Sequence, residues 1–441
     1  MTITLTSIRN CLDGAVPATI ATCAPDGMPN IAYLSQVHYI DNQHVALSFQ
    51  FFNKTRENIL ADPHATAQVV DPNTVAHYHL ALRYLRTEVE GPLFENMKAK
   101  LAGIASHTGM SKVFKLLGAD VYEVLSVNKV LRAELPCPLP RSNPLAALRA
   151  ATVGIAECAD LSCLFDKVLL CLEQHFDIHH AMLLLLNEYG DRLYTVASRG
   201  YEQSGIGSEI RLGEGIIGIA ARERTPIRIT HMTNERIYSR AAREAVAHSD
   251  LETDIPLPGL PESRSQLAVP ILLRQQLRGV LYVESPQDQR YTFEDEDALV
   301  ILANHIASSI HMCNGVADNH AEQRVAPQAN TVIGKTAIIR HYTADHSMFI
   351  DGDYLIKGVA GAILWKLLRE QLEQGRTEFT NREMRLDPTL GLPDISENLE
   401  ARLILLQKRL TERCSFLGLE KTGRGRFRLR VTRPVQLAEA T

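Results

Sequence analysis

No stretch of about 18 consecutive apolar residues occurs in this sequence, so no membrane span is expected. The start, Met1-Thr2-Ile3-Thr4, lacks the basic residues and long apolar core of a secretory signal, and a cytoplasmic protein is the expectation. No C-x-x-C and no Cys/His pair at zinc spacing is present, which argues against a metal site. Cys11, Cys23, Cys137, Cys158, Cys163, Cys171, Cys313 and Cys414 are scattered, as reduced thiols packed like small hydrophobes would be; redox sensing at Cys158, Cys163 or Cys171 is the less favoured reading. Neither an internal repeat nor a low-complexity tract appears. The formal charge of only -5 argues against wholesale nucleic-acid binding.

What is there is too much chain for one core: 441 residues imply about three domains. Two seams divide it. The proline cluster L-P-C-P-L-P-R-S-N-P at 135–144 breaks helix and sheet alike, and the polar, aperiodic stretch 314–331 reads as a linker. The expected parts are 1–135, 145–315 and 332–441, a multidomain α+β chain.

The first part reads as strands with few helices. Thr19–Ala24, Asn30–Ile40, His44–Gln50, Thr66–Val70, Tyr78–Glu90 and Asp120–Val130 carry the strand patterns, with turn chemistry at Pro25-Asp26-Gly27. A helix fits Glu95–Ala105, and a short one is inserted after the third strand, so a small barrel is predicted. That insertion, S-F-Q-F-F-N-K-T-R-E-N-I-L-A-D-P from Ser48, runs an apolar strand into Asn53, Lys54 and Thr55 at a helix start. Free backbone N–H groups, a hydroxyl and an ammonium collect there, which makes an anion site. Ser35 and Gln36 add polar groups to an otherwise apolar strand. A solvated helix start at Lys54 and Arg56 is the plainer alternative.

The phrases A-T-I-A-T-C-A-P-D-G-M-P-N, Y-L-S-Q-V-H-Y-I-D and F-N-K-T-R-E-N-I-L-A-D-P resemble the pyridoxamine-phosphate-oxidase-like split barrel that binds FMN, over roughly residues 7–132. The resemblance implies that Ser35, Gln36 and Val37 lie along the flavin. It also implies that Asn53, Lys54 and Thr55 hold the phosphate, with Asn58 following on the first helical turn, and that the protein is a homodimer. The basic segment that grips the pyridoxal substrate has no match near Val127–Arg132, so a vitamin-making oxidase is not expected. No catalytic residue is named.

The middle part is α/β. A long amphipathic helix is predicted over Leu145–His175, then a hairpin through Tyr189-Gly190-Asp191, and a closing helix over Asp295–His311. R-L-G-E-G-I-I-G-I-A-A-R-E-R-T-P-I-R-I and Q-L-A-V-P-I-L-L-R-Q-Q-L-R-G-V-L-Y-V-E-S resemble a GAF domain over about 145–315. This implies a six-stranded antiparallel sheet with a small-molecule pocket on one face. Gly213, Gly215 and Gly218 are read as packing glycines rather than a phosphate loop, because they do not follow a strand in a βαβ unit. The segment His231–Arg264 is the expected pocket lid; its ligand is not named.

The last part opens with a hairpin at Phe349–Leu355. A helix from Lys357 to Gln374 is then ended by Gly375, a capping box at Thr380/Glu383 starts the next, and a third helix begins at Ser396. A hairpin turning at Gly423 or Gly425 closes the set. With T-G-R-G-R-F-R-L this resembles a response-regulator-type winged helix over about 345–433. Residues 399–433 hold ten Lys/Arg against three Asp/Glu, a strongly positive local field. The resemblance puts Arg402, Lys408, Arg409 and Arg413 on a DNA-reading helix and Arg424, Arg426 and Arg428 on the wing. Ile404, Leu405 and Gln407 stand where the family shows basic residues, and suit a protein surface better.

Together these expectations describe a cytoplasmic, homodimeric regulator. An FMN-binding barrel and a GAF pocket would sense redox state or a metabolite, and the C-terminal part would relay the result to DNA or a signalling protein. The alternative from another class is a flavin-dependent oxidoreductase regulated by its GAF domain.

Overall fold

The computed structural model describes residues 3–12, 16–34, 36–49, 53–107, 116–135, 143–230, 255–316, 334–390, 399–423 and 425–440. In the N-terminal part, a 3-10 helix, Thr6–Leu12, precedes β1 (Ala18–Cys23), β2 (Pro29–Leu34), β3 (Val37–Tyr39) and β4 (His44–Phe49). Then follow α1 (Asn53–Ala61), β5 (His64–Val70), β6 (His77–Glu88), α2 (Pro92–His107) and β7 (Gly118–Val130). The β1–β2 turn forms because Gly27 takes φ +83 and Asp26 Oδ1 accepts from the Met28 N–H at 3.0 Å.

The seven strands make one sheet in the order β2-β1-β5-β6-β7-β4-β3. Six strands with a helix after the third were predicted; there are seven, with α1 after β4. The difference lies in the stretch 30–40, which is two strands and not one, and its halves occupy opposite edges of the sheet. Only two residues join Leu34 to Val37, a span of at most about 11 Å, so the sheet curls until its edges approach. Leu5, just before the 3-10 helix, and Ile8 within it plug its apolar core beside Ile20, Leu47, Leu80 and Leu82.

The middle part begins with α3 (Pro144–Ala156) and α4 (Leu161–Phe176), where one helix over Leu145–His175 was predicted. Apolar periodicity runs through both, but Asp160 leaves helical geometry and caps α4, its carboxylate accepting from the Cys163 N–H at 2.9 Å. There follow β8 (His180–Leu186), β9 (Arg192–Arg199), β10 (Glu209–Arg211), α5 (Gly215–Glu223), β11 (Ile227–Ile229), β12 (Ser265–Leu273), β13 (Gln276–Ser285) and α6 (Phe293–Val316). The sheet has six strands in the order β10-β9-β8-β13-β12-β11, every neighbouring pair antiparallel. Helices α4 and α6 cover one face through Leu164, Val168, Leu302 and Ile306, with α3 packed against both helices, while α5 covers the other face through Ile216 and Ala220. A Cβ on Gly218 would meet the Arg211 carbonyl oxygen at 2.2 Å, so this glycine serves close packing of α5. Much of the predicted lid, 231–254, falls outside the described residues.

The C-terminal part contains β14 (Ala337–Tyr342), β15 (Met348–Ile350), β16 (Asp353–Ile356), α7 (Gly358–Gln374), β17 (Glu378–Thr380), α8 (Asn381–Leu386), α9 (Leu399–Arg413), β18 (Leu417–Gly423), β19 (Arg426–Val431) and β20 (Val435–Ala440). Gly375 ends α7 at φ 66, and Thr380 and Glu383 form the capping box of α8. Three strands were not anticipated: β17, β14, and β20, which returns to pair with β14 in parallel in a four-stranded sheet ordered β16-β15-β14-β20. The remaining strands form a three-stranded sheet, β17-β19-β18. One continuous apolar cluster runs from Leu164 through Leu405 to Leu429, so the middle and C-terminal parts share a core.

Candidate functional site

At the start of α1, Lys54 is exposed and forms no ion pair among the described residues. Arg56, two residues on, is engaged internally: its guanidinium donates to Asp120 at 2.9 and 3.2 Å and to Thr87 at 3.0 Å, and lies 4.3 Å over Phe49. Thr55 and Asn58 are buried, in one polar chain: the Asn30 amide donates to the Thr55 hydroxyl at 2.9 Å and the Asn58 amide to Thr22 at 3.0 Å. Of the residues expected to meet a flavin, then, Lys54 faces outward while Thr55, Asn58 and Val37 sit in the protein. Ser35 lies outside the described residues, and Asn53 is the first residue of α1.

Two observations bear on whether this notch suits FMN. The Gln36 side-chain oxygen Oε1 is buried without a hydrogen-bond partner, and the Lys54 ammonium is not neutralised by a described carboxylate, a pairing that fits a polyhydroxyl phosphate. The cavity beneath, between Ile20, Leu34, Thr55 and Tyr122, has only about 10 Å³ open to a water-sized sphere. That is room for one water at most, so a ring system would lie outside the core. The residues fit the phosphate end of such a molecule.

On the α5 face of the middle sheet, Glu284 is 1% exposed. Its carboxylate accepts from the Leu260 N–H at 2.9 Å, the Tyr282 hydroxyl at 3.2 Å and the Gln266 amide at 3.5 Å. His180 and Tyr201 stand edge to face 5.7 Å apart at the same end of the sheet. Burial pulls the His180 imidazole below its ordinary value, with Glu284 opposing, and pushes the Tyr201 phenol up. Sequence reasoning passed over this polar corner. The usable signal was an acidic residue at the inward position of an otherwise apolar strand, Tyr282-x-Glu284.

The basic residues assigned to DNA contact divide sharply. Arg402 is buried: it donates to Glu188 at 2.5 Å and its guanidinium sits 3.6 Å over the Tyr194 ring, both on the middle part. Lys408 donates to Asp166 of α4 at 2.6 Å. Arg409 is buried and donates to the Leu355 carbonyl at 2.9 Å. Arg428 pairs with Glu378 at 2.5 Å. Arg413 and Arg426 are exposed, and Arg424 lies outside the described residues. The helix expected to read DNA therefore turns Arg402, Lys408, Ile404 and Leu405 toward protein. Lys421 donates to Asp160 at 2.8 Å and Lys357 stands 3.9 Å from Glu209, so in each of these cross-part pairs the cation is C-terminal and the anion belongs to the middle part.

No helix of the described residues is long and apolar enough to cross a membrane, and no group of three or more His, Cys, Asp or Glu among them is placed to hold a metal. A search of curated proteins finds no match to the chain. Among solved structures, the GAF domain of a phosphoenolpyruvate-protein phosphotransferase from Acinetobacter is similar at 24% identity, covering 40% of this chain and 98% of that one, with a TM-score of 0.32. An FMN-binding protein from Syntrophomonas wolfei is similar at 18% identity over 29% of this chain and 92% of its own, TM-score 0.24. A substrate complex of free methionine-R-sulfoxide reductase from Neisseria meningitidis is similar at 17% identity over 41% and 97%, TM-score 0.31. Residues 160–310 match the GAF domain family model: the middle of this multidomain α/β chain carries a GAF domain, and with it a sensory or regulatory role.

Proposed function

We propose that the chain is a sensor-regulator whose GAF domain and flavin-binding N-terminal barrel (1–135) control a winged-helix-like C-terminal part (332–441). The observation that carries this reading is the cross-part row of ion pairs, Arg402–Glu188, Lys408–Asp166, Lys421–Asp160 and Lys357–Glu209. A ligand that shifts β9 or α4 changes the affinity of the GAF domain for α9, and a signal passes by that difference in binding free energy. A metabolite would enter beside Glu284, whose carboxylate suits a ligand rich in hydrogen-bond donors.

The curled sheet with edges joined by two residues supports the barrel. Lys54, Asn53 and Thr55 would hold the FMN phosphate, and Gln36 would face the remainder. When bound, the flavin supplies the electron-transfer chemistry that the protein side chains lack. Self-association is favoured by β2, an edge strand exposing Ile31 at 74% and Tyr33 at 75%. In the docked arrangement Arg402 and Lys408 are engaged by the GAF domain, so DNA binding through α9 requires release from it. Arg413 and Arg426 remain exposed for a first contact with DNA or a signalling protein.

The test begins with the absorption spectrum of freshly purified protein and titration with FMN. Micromolar binding that weakens about tenfold in Lys54→Ala supports the barrel reading; no flavin bands and no uptake removes it. Promoter DNA retarded more strongly by Glu188→Gln than by the parent chain supports release; equal retardation removes it. Oxidation of reduced nicotinamide by the FMN-loaded protein would instead favour a flavin-dependent oxidoreductase.

A further inference from the structure

Three cysteines converge where α3 hands over to α4. Cys158 follows the α3 cap, Cys163 lies in the first turn of α4, and their sulfurs are 2.8 Å apart. Cys313 of α6 reaches the Cys158 carbonyl at 4.0 Å. Unbonded sulfurs do not normally approach so closely, and closing from 2.8 Å to a disulfide of about 2.05 Å needs less than an ångström of movement. Cys163 is exposed to solvent and Cys158 is half-buried. Between them stands Asp160, which accepts from the Cys163 N–H at 2.9 Å and from Lys421 of the C-terminal part at 2.8 Å.

We propose that Cys158 and Cys163 are a peroxide-responsive dithiol whose closure to a disulfide is felt at the Asp160–Lys421 contact. This inference does not depend on flavin or DNA binding. The two sulfurs have distinct roles. Cys163, the more exposed of the two, is the attacking sulfur. Burial, followed by the hydrogen bond from Cys163, pushes the Cys158 thiol up to about 12, which suits a resolving group that stays protonated until it is needed.

The chemistry balances with hydrogen peroxide as the oxidant. The Cys163 thiolate attacks one peroxide oxygen, the O–O bond breaks, hydroxide leaves and takes up a proton, and a sulfenic acid remains. The Cys158 sulfur then attacks the Cys163 sulfur, its proton passing to the departing hydroxyl. Two thiols and one peroxide become one disulfide and two waters. The new bond pulls the first turn of α4 toward Cys158 and moves the Asp160 carboxylate that holds Lys421.

The experiment uses the full-length reduced chain, treated with stoichiometric hydrogen peroxide, alkylated and digested with trypsin. Cleavage after Arg149 and Lys167 leaves both cysteines on one peptide. The expected product is that peptide lighter by two hydrogens and unalkylated, formed about tenfold faster than oxidation at Cys23, an exposed thiol in the same molecule. Cys158→Ser should stop the reaction at a dimedone-reactive sulfenic acid on Cys163, and Cys163→Ser should abolish it. Acylation of Lys421 should quicken on oxidation in the parent chain and not in Cys163→Ser. Oxidation of Cys163 no faster than of Cys23, or no sulfenic acid in Cys158→Ser, overturns the dithiol assignment. A disulfide that forms without changing Lys421 reactivity overturns its link to the C-terminal part.

Discussion

The Arg402 guanidinium lies 3.6 Å over the Tyr194 ring while its Nη2 donates to Glu188 at 2.5 Å, and the side chains of the pair are only 8% and 2% exposed. A cation from α9 is thus held by an aromatic face and a carboxylate of the GAF sheet and its β8–β9 turn. The Glu188 Oε1 and the Arg402 Nε lack hydrogen-bond partners, so the pair is not fully satisfied. Such a pair specifies where α9 sits more than it stabilises the fold, because both charges give up their hydration.

Removing one partner should be much worse than removing both. Glu188→Leu leaves a buried, unpaired guanidinium and is expected to cost about 3–5 kcal/mol in unfolding free energy. Arg402→Met combined with Glu188→Leu should recover most of that loss. Urea denaturation of the four proteins in a double-mutant cycle measures it. Additive losses would mean that the pair contributes nothing to docking.

The outer pairs behave differently. Lys408–Asp166 and Lys421–Asp160 involve side chains with 64% and 51% exposure on one partner, so each should contribute less than about 1 kcal/mol. Lys408→Ala and Lys421→Ala should therefore leave the unfolding midpoint almost unmoved, and molar salt should erase what difference there is. A salt-resistant loss in either variant would show that these pairs do more than guide α9 into place.

How much of this was readable beforehand depends on how far apart the interacting residues are. The Gly375 cap and the Thr380/Glu383 box were legible because each is settled by residues a few positions apart. Asp160 was equally local, yet the apolar period of α3 continues into α4 and masked the break. β20 gave no local sign, since its partner β14 lies nearly a hundred residues earlier. The positive charge of 399–433 was plain in the sequence, but not its direction. Glu188, Asp166 and Asp160, which receive those cations, stand more than two hundred residues away. The Lys54 notch was legible as a strand-to-helix junction, whereas the engagement of Arg56 by Asp120 and Thr87 was not.

Gly218 offers a test of the GAF core that is independent of charge. A methyl group there would press on the Arg211 carbonyl oxygen at 2.2 Å and on the Gly213 nitrogen at 3.0 Å, both backbone atoms that cannot rotate away. Gly218→Ala should destabilise the protein by about 1–3 kcal/mol despite the higher helix propensity of alanine. Equal or higher thermal stability in the variant would mean that α5 does not pack on β10 as closely as described.

His38 of β3 makes the contact between the N-terminal sheet and the GAF domain sensitive to acid. Burial pulls its imidazole down to about 3; Lys100 and Arg9 add to the shift and Glu296 of α6 opposes it. In the unfolded chain the same ring takes a proton near pH 6.5. As pH falls below 6.5, the unfolded state therefore binds a proton that the folded state refuses, and stability declines until the folded ring titrates near 3. Above pH 6.5 this contribution is complete and constant. The thermal midpoint of the parent chain should drop between pH 7 and pH 5 by more than that of His38→Gln, which carries no titrating ring. The His38 ring-proton resonance should also stay at its neutral position down to pH 5. A resonance that titrates near 6.5 would place His38 in water and separate β3 from the Arg9, Lys100 and Glu296 charges.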